Sequence, residues 1–186
     1  MLFRSTWGSY FKTFVNVTDN IFDGNSAEYG GAIYYLDSKN YFNFKDLVNN
    51  TYINNYADFG GAIFSNKTSN ITIADSDFIN NSARIGGAIF IDYPQNYNIS
   101  VQYNNTNVTV KDNDFIDNSA QSAGAVVIYS KDSVVENNNF TGNNATRYGG
   151  GALVSGGANN TIFNNSFENN SAMLYAGAIG TNNSLI

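Results

Sequence analysis

The feature that most constrains this chain is a phrase it repeats six times: F-x-x-N-x-A, followed after a short gap by G-G-A and an aliphatic residue. The copies start at Phe22, Tyr52, Phe78, Phe115, Phe140 and Phe167, so successive units lie 30, 26, 37, 25 and 27 residues apart. Self-similarity at this period marks a stacked-repeat architecture, in which each unit buries its apolar face only against its neighbours. The unit is too short for a propeller blade and has no run of ten residues with helical period. What remains is a solenoid of short strands with one unit per coil. The one long interval reads as an insertion at residues 92–105, around Pro94.

Three apolar positions recur in every unit and predict three strands per coil. Five residues before the aromatic stand Val17, Leu47, Ile73, Val110, Val135 and Ile162. The aromatic is Phe in five copies and Tyr in one, and after G-G-A come Ile33, Ile63, Ile89, Val126, Leu153 and Ile179. Coils stacked about 4.8 Å apart set like residues on top of one another, so each position becomes a column and the three columns form the core.

Three residues after the aromatic, Asn25, Asn55, Asn81, Asn118, Asn143 and Asn170 make an invariant column. Asparagine tolerates positive φ, and its amide both donates and accepts. The column is therefore expected to bond from coil to coil at a tight corner. The following Ala and Gly-Gly allow a sharp bend and close packing. The later copies drift: Ala123 replaces the first glycine in copy four, copy five reads Tyr148-Gly149-Gly150-Gly151-Ala152, and copy six has Ala176 before Gly177. Local bulges are expected there.

Composition narrows the chemistry. The 186 residues are 42% apolar and 15% aromatic, enough for one domain with a core, and 33 of them are Asn against a single Pro. With 9 Lys and Arg against 15 Asp and Glu the formal charge is −6. No basic run exists to attract a phosphate backbone or anionic lipid, so nucleic acid is not an expected partner. No Cys and no His are present. That removes disulfides, thiol nucleophiles, imidazole bases and zinc-type sites. No apolar stretch has the length of a signal-peptide core or of a membrane span, so membrane insertion by this chain is not expected.

With F-x-x-N and G-G-A-I in place, the unit resembles the repeat of the chlamydial polymorphic outer-membrane proteins. Its Asn-rich dress is similar to that of adhesin-like surface proteins of methanogenic archaea, and the likeness covers about residues 15 to 180. The resemblance implies an all-β fold, a right-handed single-stranded parallel β-helix of the pectin-lyase-like kind with about six coils. It also implies display at the cell surface, or secretion, and a non-catalytic adhesion or spacer role as part of a longer surface protein. A cell-surface glycan or protein would be the ligand.

The same solenoid architecture also carries polysaccharide lyases and hydrolases, so clustered carboxylates matter. Asp75 and Asp77 in ADSDF, with Asp112, Asp114 and Asp117 in KDNDFID, fall at equivalent places in adjacent coils. Calcium is the ion such oxygens would suit, and no other cofactor is implied. The slot three before the aromatic takes Asn as readily as Asp, which is the behaviour of a turn residue. A lyase also needs a cation near its carboxylates, and Arg84 and Lys111 are the basic residues near these coils. No catalytic residue is assigned.

Tyr34, Phe64 and Phe90 follow the inward Ile in three consecutive coils and are expected to point away from the core, where a flat stripe would suit sugars. The alternative is that they are covered, or that they stack to stabilise the sheet face. Sequons N-x-S/T occur 14 times, Asn16, Asn49, Asn80, Asn98, Asn107, Asn144 and Asn169 among them, which allows glycosylation.

The chain reads as one domain. Residues 1–14 supply an N-terminal cap or partial coil in which Leu2, Phe3, Trp7, Tyr10 and Phe11 cover the first repeat. The seven residues after Ile179 are too few for another coil, so end-to-end association through an open C-terminal edge is expected.

Overall fold

The computed structural model describes residues 2–4, 14–36, 44–66, 68–91 and 106–182. The insertion at 92–105, and Trp7, Tyr10 and Phe11 of the expected cap, lie outside them. Twenty-five short strands form four parallel sheets that run the length of a solenoid. Three sheets have six strands each and the fourth has seven. The six stacked repeats make about five full turns.

The three expected columns superpose in register. Val17 pairs with Leu47, Leu47 with Ile73, and the aliphatic column continues through Val110 and Val135 to Ile162. The aromatic column runs Phe22, Tyr52, Phe78, Phe115, Phe140, Phe167, and the Ile33 column runs to Ile179 in the same way. Stacking like on like is most evident in the rings. Centroids of successive aromatics are 5.0, 4.6, 4.8, 4.7 and 4.8 Å apart, with interplanar angles of 13° or less. That spacing is the strand repeat itself. Leu47, Ile73, Val110, Phe78, Phe115, Phe140, Ile63 and Ile89 are all fully buried.

One expectation needs correction. Each coil has four strands, because the segment after the Asn column, Ser26–Tyr29 in the first coil and Tyr56–Phe59 in the second, forms a sheet of its own. Its inward residue is the repeated alanine, from Ala27 through Ala57, Ala83 and Ala120 to Ala172. The alanine is small, and the apolar residue two places on (Tyr29, Phe59, Ile85) gives way to Ser122 in the fourth coil, so the repeated part of the pattern reads as a turn. Below, the faces are numbered in chain order from the Val17 column. The fourth face is extended by Leu2–Arg4, which pairs with Ile33–Leu36.

The Gly-Gly corner bends as the sequence implies. Gly60 has φ +62, and a Cβ on Gly87 would lie 2.0 Å from the Gly124 carbonyl oxygen of the next coil. In copy four, Ala123 itself adopts φ 55. Copy five absorbs its two extra residues just before the corner, where the N–H groups of Arg147 and Tyr148 both donate to the Gln121 carbonyl, at 3.1 and 2.8 Å.

Position, rather than residue type, then sets what a substitution costs. Gly87→Ala forces its coil away from the next and is expected to lower unfolding free energy by several times more than Gly24→Ala. Gly24 has nothing within 4 Å of its would-be Cβ and φ +65, so its substitution costs only the left-handed penalty of about 1–2 kcal/mol. Urea unfolding of the two variants followed by circular dichroism checks this; equal losses would contradict it.

Candidate functional site

The polar residues of the solenoid are organised first by its corners. Asp19, Asn49, Asp75, Asp112, Asn137 and Asn164, three before each aromatic, all have φ between 50 and 59. That is the turn behaviour expected of this slot. The next corner is different from its expectation: the left-handed residue there precedes the Asn column. Gly24, Asn54, Asn80, Asp117, Gly142 and Asn169 carry the positive φ. The Asn column that follows them turns its amides inward instead.

Those amides form a continuous ladder. The Oδ1 of Asn81 accepts both the backbone N–H of Asn55, at 3.0 Å, and its Nδ2–H, at 2.9 Å. Asn81 in turn donates from its backbone N–H, at 2.9 Å, and from Nδ2, at 3.0 Å, to Oδ1 of Asn118, and its second Nδ2–H goes to the Tyr52 carbonyl at 2.9 Å. Asn118 repeats the pattern toward Asn143, and Asn143 toward Asn170. Asn25 begins the ladder by donating to Asn55. An amide has two donor protons and two acceptor sites, and interior members use all four. Asn55, Asn81, Asn118 and Asn143 are completely buried, so a partial set of bonds would be costly.

A second ladder, not singled out in the sequence, lines the corner before the aromatic: Asn20, Asn50, Ser76, Asn113, Asn138 and Asn165. Ser76 stands in with its hydroxyl, accepting from Asn50 and donating to the Ala74 carbonyl. The available signal was the Asn-Asn doublet. Asn49-Asn50, Asn137-Asn138 and Asn164-Asn165 repeat the arrangement of Asn54-Asn55, Asn80-Asn81 and Asn169-Asn170, an exposed left-handed residue followed by an inward amide.

The five aspartates do not converge. Asp75 and Asp112 occupy one corner and Asp117 the other, while Asp77 and Asp114 are side by side on the outer surface of the second face. All five are exposed. Among the described residues no three Asp or Glu side chains gather where they could hold a metal ion. Partial desolvation, and then the Asp114 carboxylate, raise the Asp77 carboxyl above the ordinary range. The basic residues considered with them are engaged: Lys111 pairs with Asp112 at 3.6 Å, and the Arg84 guanidinium lies 4.4 Å from the Phe59 ring centroid.

The aromatic stripe also differs from the ligand-facing expectation. Phe64 is fully buried, Phe90 is 3% exposed, and Tyr34 is half-buried. They do point away from the central prism, but the third face bends beside the fourth and lays Tyr29, Phe59 and Ile85 over them. Phe59 stacks on Tyr29 at 5.4 Å and on Phe90 at 5.7 Å. Rings stacked along the axis cover one another's faces, which are the surfaces a sugar would need. The stripe is a second, external core.

A family model described as a right-handed β-helix region matches residues 13–186. The chain belongs to the right-handed β-helix family. Comparison with curated proteins and with solved structures gives no match. In this β-helix no helix among the described residues is long and apolar enough to cross a membrane.

The acid pair gives the β-helix a defined pH response. A native carboxyl raised above its unfolded value holds its proton more tightly in the folded state. Its stabilising contribution is therefore present below the unfolded pKa and lost as pH rises through the folded one. Asp114→Asn removes the smaller of the two causes. The Asp77 midpoint should fall but stay above the ordinary value, and stability at neutral pH should rise by about a few tenths of a kcal/mol. Carboxyl-resolved NMR titration of Asp77 checks this, and an unchanged midpoint would contradict it.

Proposed function

We propose that this right-handed β-helix is a non-catalytic segment of a cell-surface or secreted adhesin-like protein, acting in adhesion or as a rigid spacer within a longer chain. One observation supports this above the others: the side chains with most chemical capacity are spent on holding coil to coil. The buried amides of Asn55, Asn81, Asn118 and Asn143 have no donor or acceptor left for a ligand. The outcome is a rod whose length grows by about 4.8 Å per coil. Such an element serves by extending and presenting, and its ligand would be a glycan or protein of another surface. The net charge of −6 argues against nucleic acid.

Among the described residues the most exposed apolar side chains lie in the first and last coils. Ile21 is 75% exposed in the first coil, and Met173 and Tyr175 are 72% and 77% exposed in the last.

The second reading, a polysaccharide-lyase-like enzyme using calcium, is favoured only by the Asp77–Asp114 pair. The two are separated by assaying a panel of neutral and acidic polysaccharides with calcium present. No unsaturated or reducing-end product is expected. Product that disappears in an Asp77→Asn/Asp114→Asn variant would overturn the adhesin reading. Protease digestion of intact producing cells addresses location: the chain is expected to be accessible, and complete protection would contradict surface display.

A further inference from the structure

The left-handed corners separate the asparagines into two populations with different chemistry. Among the described residues nine asparagines have positive φ: Asn49, Asn54, Asn70, Asn80, Asn107, Asn137, Asn159, Asn164 and Asn169. Seven of these nine are followed two residues later by Ser or Thr, all but Asn54 and Asn137. The eleven asparagines of the two inward ladders are never followed by Ser or Thr at that distance, because the residue there is the inward Ala or aromatic, as in Asn81-Ser82-Ala83 and Asn138-Asn139-Phe140. Of the 12 sequons among the described residues, seven therefore stand on the corners and none on either of these ladders.

Corner geometry alone does not account for the hydroxyl. Five aspartates (Asp19, Asp75, Asp112, Asp117, Asp132) and two glycines (Gly24, Gly142) take equivalent left-handed positions. Two of these seven, Gly24 and Asp117, are followed two residues on by Ser; the others have Ile21, Asp77, Asp114, Val134 and Asn144 there. The strand start accepts many residue types, yet Ser or Thr accompanies Asn in seven of nine cases against two of seven for Asp and Gly. At the corners before the aromatic and before the first face the hydroxyl accompanies Asn in five of six cases and Asp in none of four, so there it follows the asparagine, as a sequon requires. At the corner after the aromatic it follows Asn (Asn80 and Asn169 of three) and the other residues (Gly24 and Asp117 of three) alike.

The corners are also open. Six of the seven sequon asparagines are exposed, and Asn70 is half-buried. Where a corner amide bonds along its column it spends one Nδ2 proton: Asn49 donates to Asp19 at 2.5 Å, Asn80 to Asn54 at 2.7 Å and Asn164 to Asn137 at 2.7 Å. An N-linked sugar replaces one Nδ2 proton and leaves the other, so a glycosylated corner can keep this bond. Asn169 is freer still, since the residue beneath it in the column is Gly142, which has no side chain. Asn66 is the opposite case, a sequon asparagine 6% exposed.

We propose that the left-handed corners are N-glycosylation sites, so that the rod carries sugars along its convex edges. The inference rests on the surface-display reading. In the transfer, a bond forms between the corner Nδ2 and the anomeric carbon of a lipid-linked oligosaccharide diphosphate. The anomeric C–O bond breaks, the lipid diphosphate leaves, and the lost amide proton passes to the transferase. Asn70 and Asn107 neighbour each other in one column and share a bond of 2.7 Å, about one coil rise apart. Two glycans do not fit there, so only one of this pair is occupied per chain.

The direct test is peptide mass mapping of the chain recovered from cells that make it, before and after amidase release of N-glycans. Sugar is expected on Asn49, Asn80, Asn159, Asn164 and Asn169, with Asn66 bare. Thr51→Ala and Ser82→Ala, which keep the corner residue, should remove it from Asn49 and Asn80 without loss of the β-sheet circular dichroism. A companion measurement incubates the purified folded chain with a nucleotide sugar and a soluble asparagine glycosyltransferase, beside the same chain in denaturant. Transfer to the corners of the folded chain supports the proposal; transfer only to the denatured chain overturns it. A surface-accessible chain with no glycan at any corner overturns this inference and leaves the display reading intact, whereas a protease-protected, bare chain overturns both.

Discussion

The stack depends on one kind of hydrogen bond, in which the Oδ1 of an asparagine receives both the backbone N–H and the Nδ2–H of the asparagine one coil earlier. At the corner after the aromatic the chain leaves the second face and has no ladder partner for its backbone. The side chain of the next coil supplies it, as Asn118 does for Asn81 at 2.9 and 3.0 Å. Leaving such buried groups unpaired would cost about 1–3 kcal/mol for each one. The bond also sets register. An asparagine displaced by one residue would turn its amide outward and present an apolar or hydroxyl side chain to the N–H of its neighbour.

Register, once fixed, produces the core. Because the amides hold each coil directly above the last, like side chains fall on like, and the Phe column stacks at the strand spacing. The second glycine of the first five corners follows from the same stacking, since its would-be Cβ points at a carbonyl of the adjacent coil. The function proposed for the molecule follows as well. Chemistry committed to the interior leaves the outside to Asp, Asn, Ser and Thr, and there the Asp114 carboxylate adds to desolvation in raising the Asp77 carboxyl.

Legibility in the sequence tracked how directly a residue meets its own copy. The Val17, Phe22 and Ile33 columns and the Asn25 column were readable because each neighbour along the axis is the same position one repeat later. The third face was not, because the only residue type Ser26–Tyr29 and its copies repeat through all six coils is a small alanine, while the apolar residue two places on gives way to Ser122 in the fourth coil. The second amide ladder was obscured by Ser76 and by the adjacent exposed asparagines. Tyr34, Phe64 and Phe90 show a different limit. Strand alternation correctly turned them away from the prism, but it carries no information about which face lies alongside, and here the third face covers them. For the aspartates, residue type suggested a cluster, whereas the corner φ values and strand register spread them over separate positions.

If the shared amide bond is what holds the coils, the side-chain amides must divide into two kinds in solution. Residue-resolved hydrogen exchange of Asn Nδ2 protons by NMR tests this most directly. The account predicts that Asn55, Asn81, Asn118 and Asn143 exchange as slowly as the backbone N–H groups of the Phe78 and Phe115 strands, while Asn54, Asn80 and Asn137 exchange near the solvent rate. Rapid exchange at Asn81 and Asn118 in a chain whose Phe78 and Phe115 backbone remains protected would show that the stack holds without its amide ladder.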